Sequence, residues 1–321
     1  MVPLVLIGRS AAARRLADDM CAAATASCVL LEAEAGLDVV DIAREIHVRS
    51  GRAGSFIAVD CAGAEPRLVE RELFGESPRR GSSDLEAVSS RAALAHARGG
   101  TLCLGDLAEL SASAQARVAR VARDGEASLV DTDGSCRLNV SLIASTSTDL
   151  ESEAREGRLR HDLLRHFTRT RIAVPPLRQR ADDIPLLVES LAACLSESAD
   201  MSVKALTQPA ATLLSAMPWR GNLVELRHAV ARLMDVAPGP VIQLEDVLAH
   251  VRFDGVLAPP APGGTLRSAR RQFERDYIAL VLQHHRWRID DAARSLGIQR
   301  TNLYRKARQL GISMARPMHS S

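Results

Sequence analysis

The sequence predicts an α/β fold, a parallel sheet flanked by helices, followed by a separate all-α unit. Apolar, β-rich runs alternate with helical patterns along the first part of the chain, and these runs stop after Ser202. A Pro/Gly stretch then isolates a C-terminal segment whose periodicity is helical. With 321 residues, 46% of them hydrophobic and 25% charged, the chain carries enough apolar material for about two or three domains.

The elements follow in order. Runs at 29–34, 56–59, 101–104, 140–145 and 171–174 are short and apolar, as the strands of a parallel sheet covered on both faces must be. Between and after them, apolar residues recur at helical spacing over 38–49, 66–73, 113–123 and 184–196. A short helical region continues to about Val251. The stretch "LAPPAPGGT", residues 257–265, cannot continue a helix and reads as a linker. The chain closes with a helical unit from Leu266 to about Ile312.

Composition removes several function classes. The start, "MVPLVLIGRS", has no basic region before its apolar run and no small-residue cleavage site after it, and no later segment approaches the ~20 apolar residues of a membrane span. A cytoplasmic protein without membrane contact is expected. Cys21, Cys28, Cys61, Cys103, Cys136 and Cys194 are scattered without metal-ligand spacing, which predicts reduced, mostly buried thiols and no metal site. The net charge of +2 hides an asymmetry: residues 264–321 hold 12 Arg or Lys against 4 Asp or Glu, a charge of +8, while the remainder holds 29 against 35, a charge of −6. Such a split points to a nucleic-acid-binding tail on a near-neutral body. Lys204 and Lys306 are the only lysines, so arginine supplies nearly all positive charge.

The tail carries the strongest functional signal. In "RIDDAARSLGIQRTNLYRKARQLGI", residues 288–312, Ala292, Ala293 and Leu296 share one helix face, Gly297 and Ile298 make a turn, and a second helix begins near Arg300 with Leu303, Ala307 and Leu310 facing inward. This is helix-turn-helix spacing. The outward residues suit base edges and phosphates, which makes Gln299, Arg300, Thr301, Asn302, Tyr304, Arg305, Lys306 and Arg308 the candidate DNA-binding set. Ahead of it, Leu266, Phe273, Tyr277 and Leu280 fall at helical spacing, either as the unit's own core or as a dimer-forming helix.

These residues resemble the Fis-type DNA-binding domain of sigma-54-dependent, NtrC-type transcriptional regulators, whose pattern runs A-A-x-x-L-G-I-x-R-x-T-L-Y-R-K-x-x-x-L-G-I. The body extends the resemblance: "REIHVRS", "SFIAVDCA", "ELFGE", "GGTLCLGDLAEL", "EGRLRHDLLRHF", "PPLRQRADDIPLL" and "PWRGNLVELRHAVARL" match the family's AAA+ domain in order and spacing. The resemblance implies an AAA+ P-loop-type α/β subdomain over 1–201, a helical lid over 202–254, a linker over 255–265 and a Fis-type helix-turn-helix over 266–321. It begins near Ile7, and no receiver or other sensory segment is expected ahead of it.

Departures from the family pattern concentrate where nucleotide chemistry is implied. The family loop G-E-S-G-T-G-K-E aligns with Ala33 to Val40, where only Glu34 and Gly36 match, while Asp38 and Val39 stand for the last glycine and the lysine that would reach the terminal phosphates. The strand-end pair D-E is Gly105 and Asp106. Of two arginines that the family offers in trans to a neighbour's phosphate, the first matches Arg160 and the second falls on His166. The lid arginine that senses nucleotide falls on Val224. The sigma-54-contact hexapeptide G-A-F-T-G-A is missing from residues 76–100, which read as a surface insertion.

The resulting expectation is a sequence-specific DNA-binding regulator whose body has lost ATPase and sigma-54-contact motifs and serves as an oligomerisation or partner scaffold. No enzymatic activity, catalytic residue or cofactor is expected, ATP binding being implied by the resemblance alone, and Glu34, Gly36, Asp38, Val39, Asp106, Arg160 and Val224 form a vestigial nucleotide site. Expected partners are double-stranded DNA at an inverted repeat, a second copy in a homodimer or higher oligomer, and an AAA+ paralogue or RNA polymerase. Two alternatives stay open: a modulatory subunit that co-assembles with an intact sigma-54 activator, and a weak ATP-dependent activator.

Overall fold

The computed structural model describes residues 4–76, 85–129, 135–199, 202–251, 274–275, 277–279, 281–285 and 287–312. Its contacts divide the chain into two units, Met1–Pro176 and Leu177–Ser321.

The first unit contains strands β1 (Cys28–Glu32), β2 (Phe56–Asp60), β3 (Glu86–Val88), β4 (Thr101–Gly105), β5 (Glu126–Leu129), β6 (Ser135–Arg137), β7 (Ser141–Thr146) and β8 (Arg171–Ala173). Five of them form a parallel sheet in the order β2-β4-β7-β1-β8, and these are the five strands the apolar runs predict. Val29, Leu30 and Leu31 of β1 have no exposed surface, and every residue of β7 is buried. Only a strand covered on both faces supports such a run. The register pairs Asp60 with Gly105, Leu104 with Ala144 and Glu32 with Thr146, so the carboxyl ends of β1, β2, β4 and β7 lie along one edge. In open α/β sheets, ligands bind outside that edge.

Helices α1 (Ala11–Ala23), α2 (Val39–Ser50), α3 (Pro66–Phe74), α4 (Ala93–His96), α5 (Ala112–Asp124), α6 (Leu150–Arg155) and α7 (His161–Phe167) complete this unit. In α2, Ile42, Ala43 and Ile46 recur at helical spacing and are buried. Ser111 caps α5 by accepting the Ala114 N–H at 3.1 Å. α1 is absent from the sequence prediction. Its core contacts rest on Ala13, Leu16, Met20 and Ala23, and two of those are alanines that give little apolar periodicity.

Within residues 76–100, the part from 85 on is not the surface insertion expected. Residues 77–84 lie outside the described set, but β3 is fully buried and forms a second sheet in the order β3-β5-β6. Its Glu86 carboxylate is buried between two arginines of α5, accepting from Arg117 Nε at 2.5 Å and Arg120 Nε at 2.7 Å. Arg117 also donates to the Ala87 carbonyl at 2.9 Å and stacks 3.9 Å over the Phe74 ring. A buried charge persists only when paired and hydrogen-bonded in this way.

The second unit contains α8 (Ile184–Ala199), α9 (Gln208–Ala216), α10 (Asn222–Val236) and α11 (Leu244–His250). Helix α8, which the sequence places in the first domain, packs here on α9 and α10. Strands do not stop at Ser202: β9 (Ala205–Leu206) and β10 (Val241–Ile242) pair in parallel, too short to leave an apolar run. Trp219 is buried with its indole N–H donating to the Leu214 carbonyl at 2.8 Å, and buried Asn222 accepts the Leu177 N–H at 3.1 Å. Lys204 extends its ammonium to the Met234 and Ala237 carbonyls, where a cation offsets the negative carbonyl end of α10. Helices α12 (Ile289–Ser295) and α13 (Arg300–Gln309) pack with Ile278, Val281 and Leu282 of a preceding helical stretch. Leu266, Phe273 and Leu280 lie outside the described residues; Tyr277 is half-buried, its hydroxyl donating to the Pro209 carbonyl at 3.4 Å.

Cys61 and Cys103 are buried, and burial pushes both thiols up to about 12, whereas Cys21 and Cys194 are exposed, contrary to the expectation of mostly buried thiols. The Cys136 side chain lies outside the described residues. Among the described residues, no helix is long and apolar enough to cross a membrane.

Candidate functional site

Two corners of the fold hold the residues that the sequence singles out. The first joins β1 to α2. The Ala33 N–H donates to the Thr146 carbonyl at 2.9 Å, tying the start of the loop to the neighbouring strand. Gly36 has φ of 82°, the left-handed conformation that glycine adopts without strain, and buried Leu37 anchors the turn. Asp38 is the residue before α2, with no side-chain cap bond to the helix, while its carbonyl accepts the Asp41 and Ile42 N–H groups at 3.2 and 3.3 Å. Val39 opens the helix half-buried, and Glu34 is exposed. The result is a helix start facing the carboxyl edge of the sheet, where backbone N–H groups and the helix dipole favour an anion. Val39 adds no positive charge there, and Asp38 adds a negative one.

At the end of β4, Asp106 is also left-handed, with φ of 52°, and its N–H donates to Ser145 Oγ at 3.2 Å. Gly105 before it pairs with Asp60 on β2, and a Cβ on Gly105 would stand 3.9 Å from Asp60 Oδ1. Burial, then the charge of Asp60, raises the Asp106 carboxyl above its ordinary range. Asp60 was not singled out by the sequence; only the strand register brings it to this edge. Glu34, Gly36, Asp38, Val39 and Asp106 thus gather along one side of the sheet.

Arg160 precedes α7, where its guanidinium makes two bonds to the Asp162 carboxylate at 2.9 and 2.7 Å and its N–H donates to buried Gln115. The guanidinium pair holds Asp162 below the usual carboxylate range. His166 lies in the last turn of the same helix. Val224 belongs to the second unit, 40% exposed on α10.

The second corner joins α12 to α13. Ala292 and Ala293 are buried, Gly297 takes φ of 65°, and the Ile298 N–H returns to the Ala293 carbonyl at 3.0 Å, closing the helix end that a glycine turn provides. In α13, Leu303 and Ala307 are fully buried, while Gln299, Arg300, Thr301, Tyr304, Arg305 and Arg308 are exposed and Asn302 and Lys306 are half-exposed. Leu296 and Leu310, expected inside, are partly buried against this core. Several of the candidate readers already have partners that the sequence did not announce. Arg300 bonds Asp290 at 3.1 Å and sits 5.9 Å over the Tyr304 ring, Arg305 bonds Asn302 at 3.2 Å, and Lys306 pairs with Glu274. Exposed pairs of this kind are worth about 0–1 kcal/mol, so they orient the side chains at little cost to exchange.

Comparison with known proteins gives three family matches in chain order. The sigma-54 interaction domain covers residues 6–173, the AAA+ ATPase lid domain 178–258, and the bacterial regulatory protein, Fis family, 269–310. The chain belongs to the sigma-54-dependent transcriptional regulators. As one of these regulators it is 32% identical over 322 residues to the nitrogen assimilation regulatory protein NtrX of Azorhizobium caulinodans, covering 97% of this chain and 70% of that one. It is 30% identical to the regulatory protein AtoC of Escherichia coli, covering 89% of this chain and 63% of AtoC, and it spans 54% of the phenol regulator MopR of Acinetobacter guillouiae. Crystal structures of NtrX from Brucella abortus, in complex with ATP and with ADP, superpose with a TM-score of 0.75 at 29% identity, covering 95% of this chain and 69% of that one.

These findings correct one expectation. The replaced side chains lead to the view that the chain is not an enzyme, but a sigma-54 regulator with an AAA+ body, superposing on nucleotide-bound NtrX, points to an ATPase. The physical reason is that a phosphate cradle is built largely from backbone N–H groups and a helix start. The β1–α2 corner keeps both, and side-chain letters do not report on them.

Proposed function

We propose that this regulator reads a specific duplex through α13 while its α/β body binds ATP at the β1–α2 corner and assembles with further copies or with an AAA+ paralogue. The observation that carries the reading is the split of α13: Leu303 and Ala307 close a core, and the polar set from Gln299 to Arg308 faces outward on a helix held by a glycine turn. In a helix-turn-helix the start of the second helix enters the major groove. Arg300 and Asn302 are therefore assigned to base edges, Thr301 and Arg305 to either bases or phosphates, and Lys306 and Arg308 to the backbone. The +8 charge of residues 264–321 supports sequence-independent attraction to DNA. An inverted repeat fits a two-fold symmetric pair of copies, with their recognition helices about 34 Å apart. This reading places the protein in the cytoplasm, with RNA polymerase as the downstream partner of its family, the α/β body ending near Pro176 ahead of α8, and the helix-turn-helix domain over 266–321.

Two titrations test it. Fluorescence anisotropy on a selected site and a scrambled one should show site preference and an affinity that falls steeply with salt; no affinity at ~50 mM salt removes the DNA reading. Calorimetric ATP binding and steady-state phosphate release by the assembled protein should exceed the buffer background; failure of both removes the nucleotide reading.

A further inference from the structure

The first unit has a second basic surface, at the amino-terminal ends of its strands and opposite the edge that holds the β1–α2 loop. Two concavities adjoin there, sharing Ser27, Cys28 and Ala122. Their linings hold Arg52, Arg98, Arg123, Arg165 and Arg169 against the single carboxylate of Asp124, five positive groups less one negative, or +4 with His166 neutral. Asp124 is already engaged by Arg123 at 2.7 and 3.0 Å, and Arg52 donates to the Asn139 carbonyl at 2.8 Å. Among the described residues, the guanidinium groups of Arg98, Arg165 and Arg169 have no ion pair or hydrogen bond. Some exposed arginines elsewhere on this unit are matched, as Arg71 is by Glu76, Arg155 by Asp149 and Arg160 by Asp162, and others, such as Arg67 and Arg91, stand singly among the described residues; what sets this surface apart is the gathering of such groups around adjoining hollows.

A simpler account is that these cations offset helix ends. The carbonyl ends of α2, α4, α5 and α7 reach this edge, and each is equivalent to at most about half a negative charge, roughly −2 in all. Set against +4, that still leaves a positive excess. A small anion would be held by converging, desolvated donors. Here the free guanidinium groups are exposed, come from separate elements and line adjoining hollows, which suits an extended polyanion. Arginine also matches the oxygen geometry of phosphate better than a point charge does.

We propose that this trough holds phosphate groups, and that their source is the backbone of the duplex brought by α13. The inference rests on the DNA-binding reading and extends the DNA footprint to the body. The test uses the full chain, a duplex lacking the target site and, separately, free ATP. Arg165→Ala/Arg169→Ala should lower the slope of log affinity against log salt by about 1.8, since each phosphate contact releases about 0.9 counterion. Its ATP affinity should be unchanged, and Arg165→Lys/Arg169→Lys should keep most of the slope. Both side chains are exposed, so thermal unfolding should match the wild type. If the wild-type chain binds DNA and the alanine variant has the same slope, the trough is not a DNA contact and only this inference fails. If the slope holds while ATP affinity drops, the phosphates belong to a nucleotide and the DNA source is wrong. If the wild-type chain binds no DNA at all, the failure lies with the reading of α13.

Discussion

The β1–α2 corner and the α12–α13 corner are both short turns between packed elements, yet they keep their family frames in different ways. At the first, Leu30, Leu31, Ile42, Ala43 and Ile46 are buried as packing demands, while half-buried Asp38 and Val39 stand in place of a glycine and a lysine. At the second, the buried Ala292, Ala293, Leu303 and Ala307 and the outward-facing Arg300, Asn302 and Lys306 are both of the type the frame calls for. Packing and chemistry are thus carried by separate residues, and one can change while the other stays. Inferring loss of activity from the replaced side chains alone at the first corner overlooked how much of a phosphate cradle is backbone.

The largest effects should be equal at the two corners. Ile42→Ala and Leu303→Ala each delete a fully buried aliphatic side chain and should each cost about 2–5 kcal/mol of stability, read locally by hydrogen exchange in denaturant. A cost below ~1 kcal/mol at either one would mean that the two frames are not equally packed. Val39→Lys then separates them, because it restores charge at one corner alone. It should tighten ATP binding by about 1.5–3 kcal/mol, the range for a hydrogen bond to a charged group, as measured by calorimetry; no gain would show that residue 39 does not face the phosphates.

At the DNA corner, Arg300→Ala should cost about 1–3 kcal/mol on the selected site and relax preference at one base pair, whereas Lys306→Ala should weaken all sequences alike and lower the salt slope by about one. Equal losses for both variants on selected and scrambled DNA would refute the assignment of readers. The smallest effect concerns Asp106. Because burial and Asp60 raise its carboxyl, the folded state holds that proton more tightly, and stability falls as pH climbs from the ordinary carboxylate range, about 4, through the raised value. Asp106→Asn should therefore melt higher than wild type at neutral pH and equally below that range; a constant difference across pH would remove the electrostatic cause.

Legibility followed burial. The five sheet strands and helices α2, α3, α5 and α8 were readable because each buries an apolar run or stripe longer than a turn. The alanine-rich α1 and the two-residue β9 and β10 were not, since alanine gives a weak periodic signal and two residues give none. Residues 85–88 misled in another way: their core contribution depends on Glu86, a charged residue that is buried only because Arg117 and Arg120 come from a distant helix. Among the candidate residues, the outward face of α13 could be read from spacing. Asp60, Asp290 and Glu274 could not, because each acquires its neighbour through strand register or the fold of the turn.

The two lysines have a practical consequence. Lys204 is occupied by the carbonyl end of α10, whereas Lys306 is half-exposed on the helix assigned to DNA. An acylating reagent at mild pH therefore meets, apart from the chain's α-amino group, one side-chain amine without a carbonyl clasp. Mass spectrometry of that one adduct, with and without duplex, would footprint the recognition surface through a reagent that on most proteins marks dozens of unrelated positions.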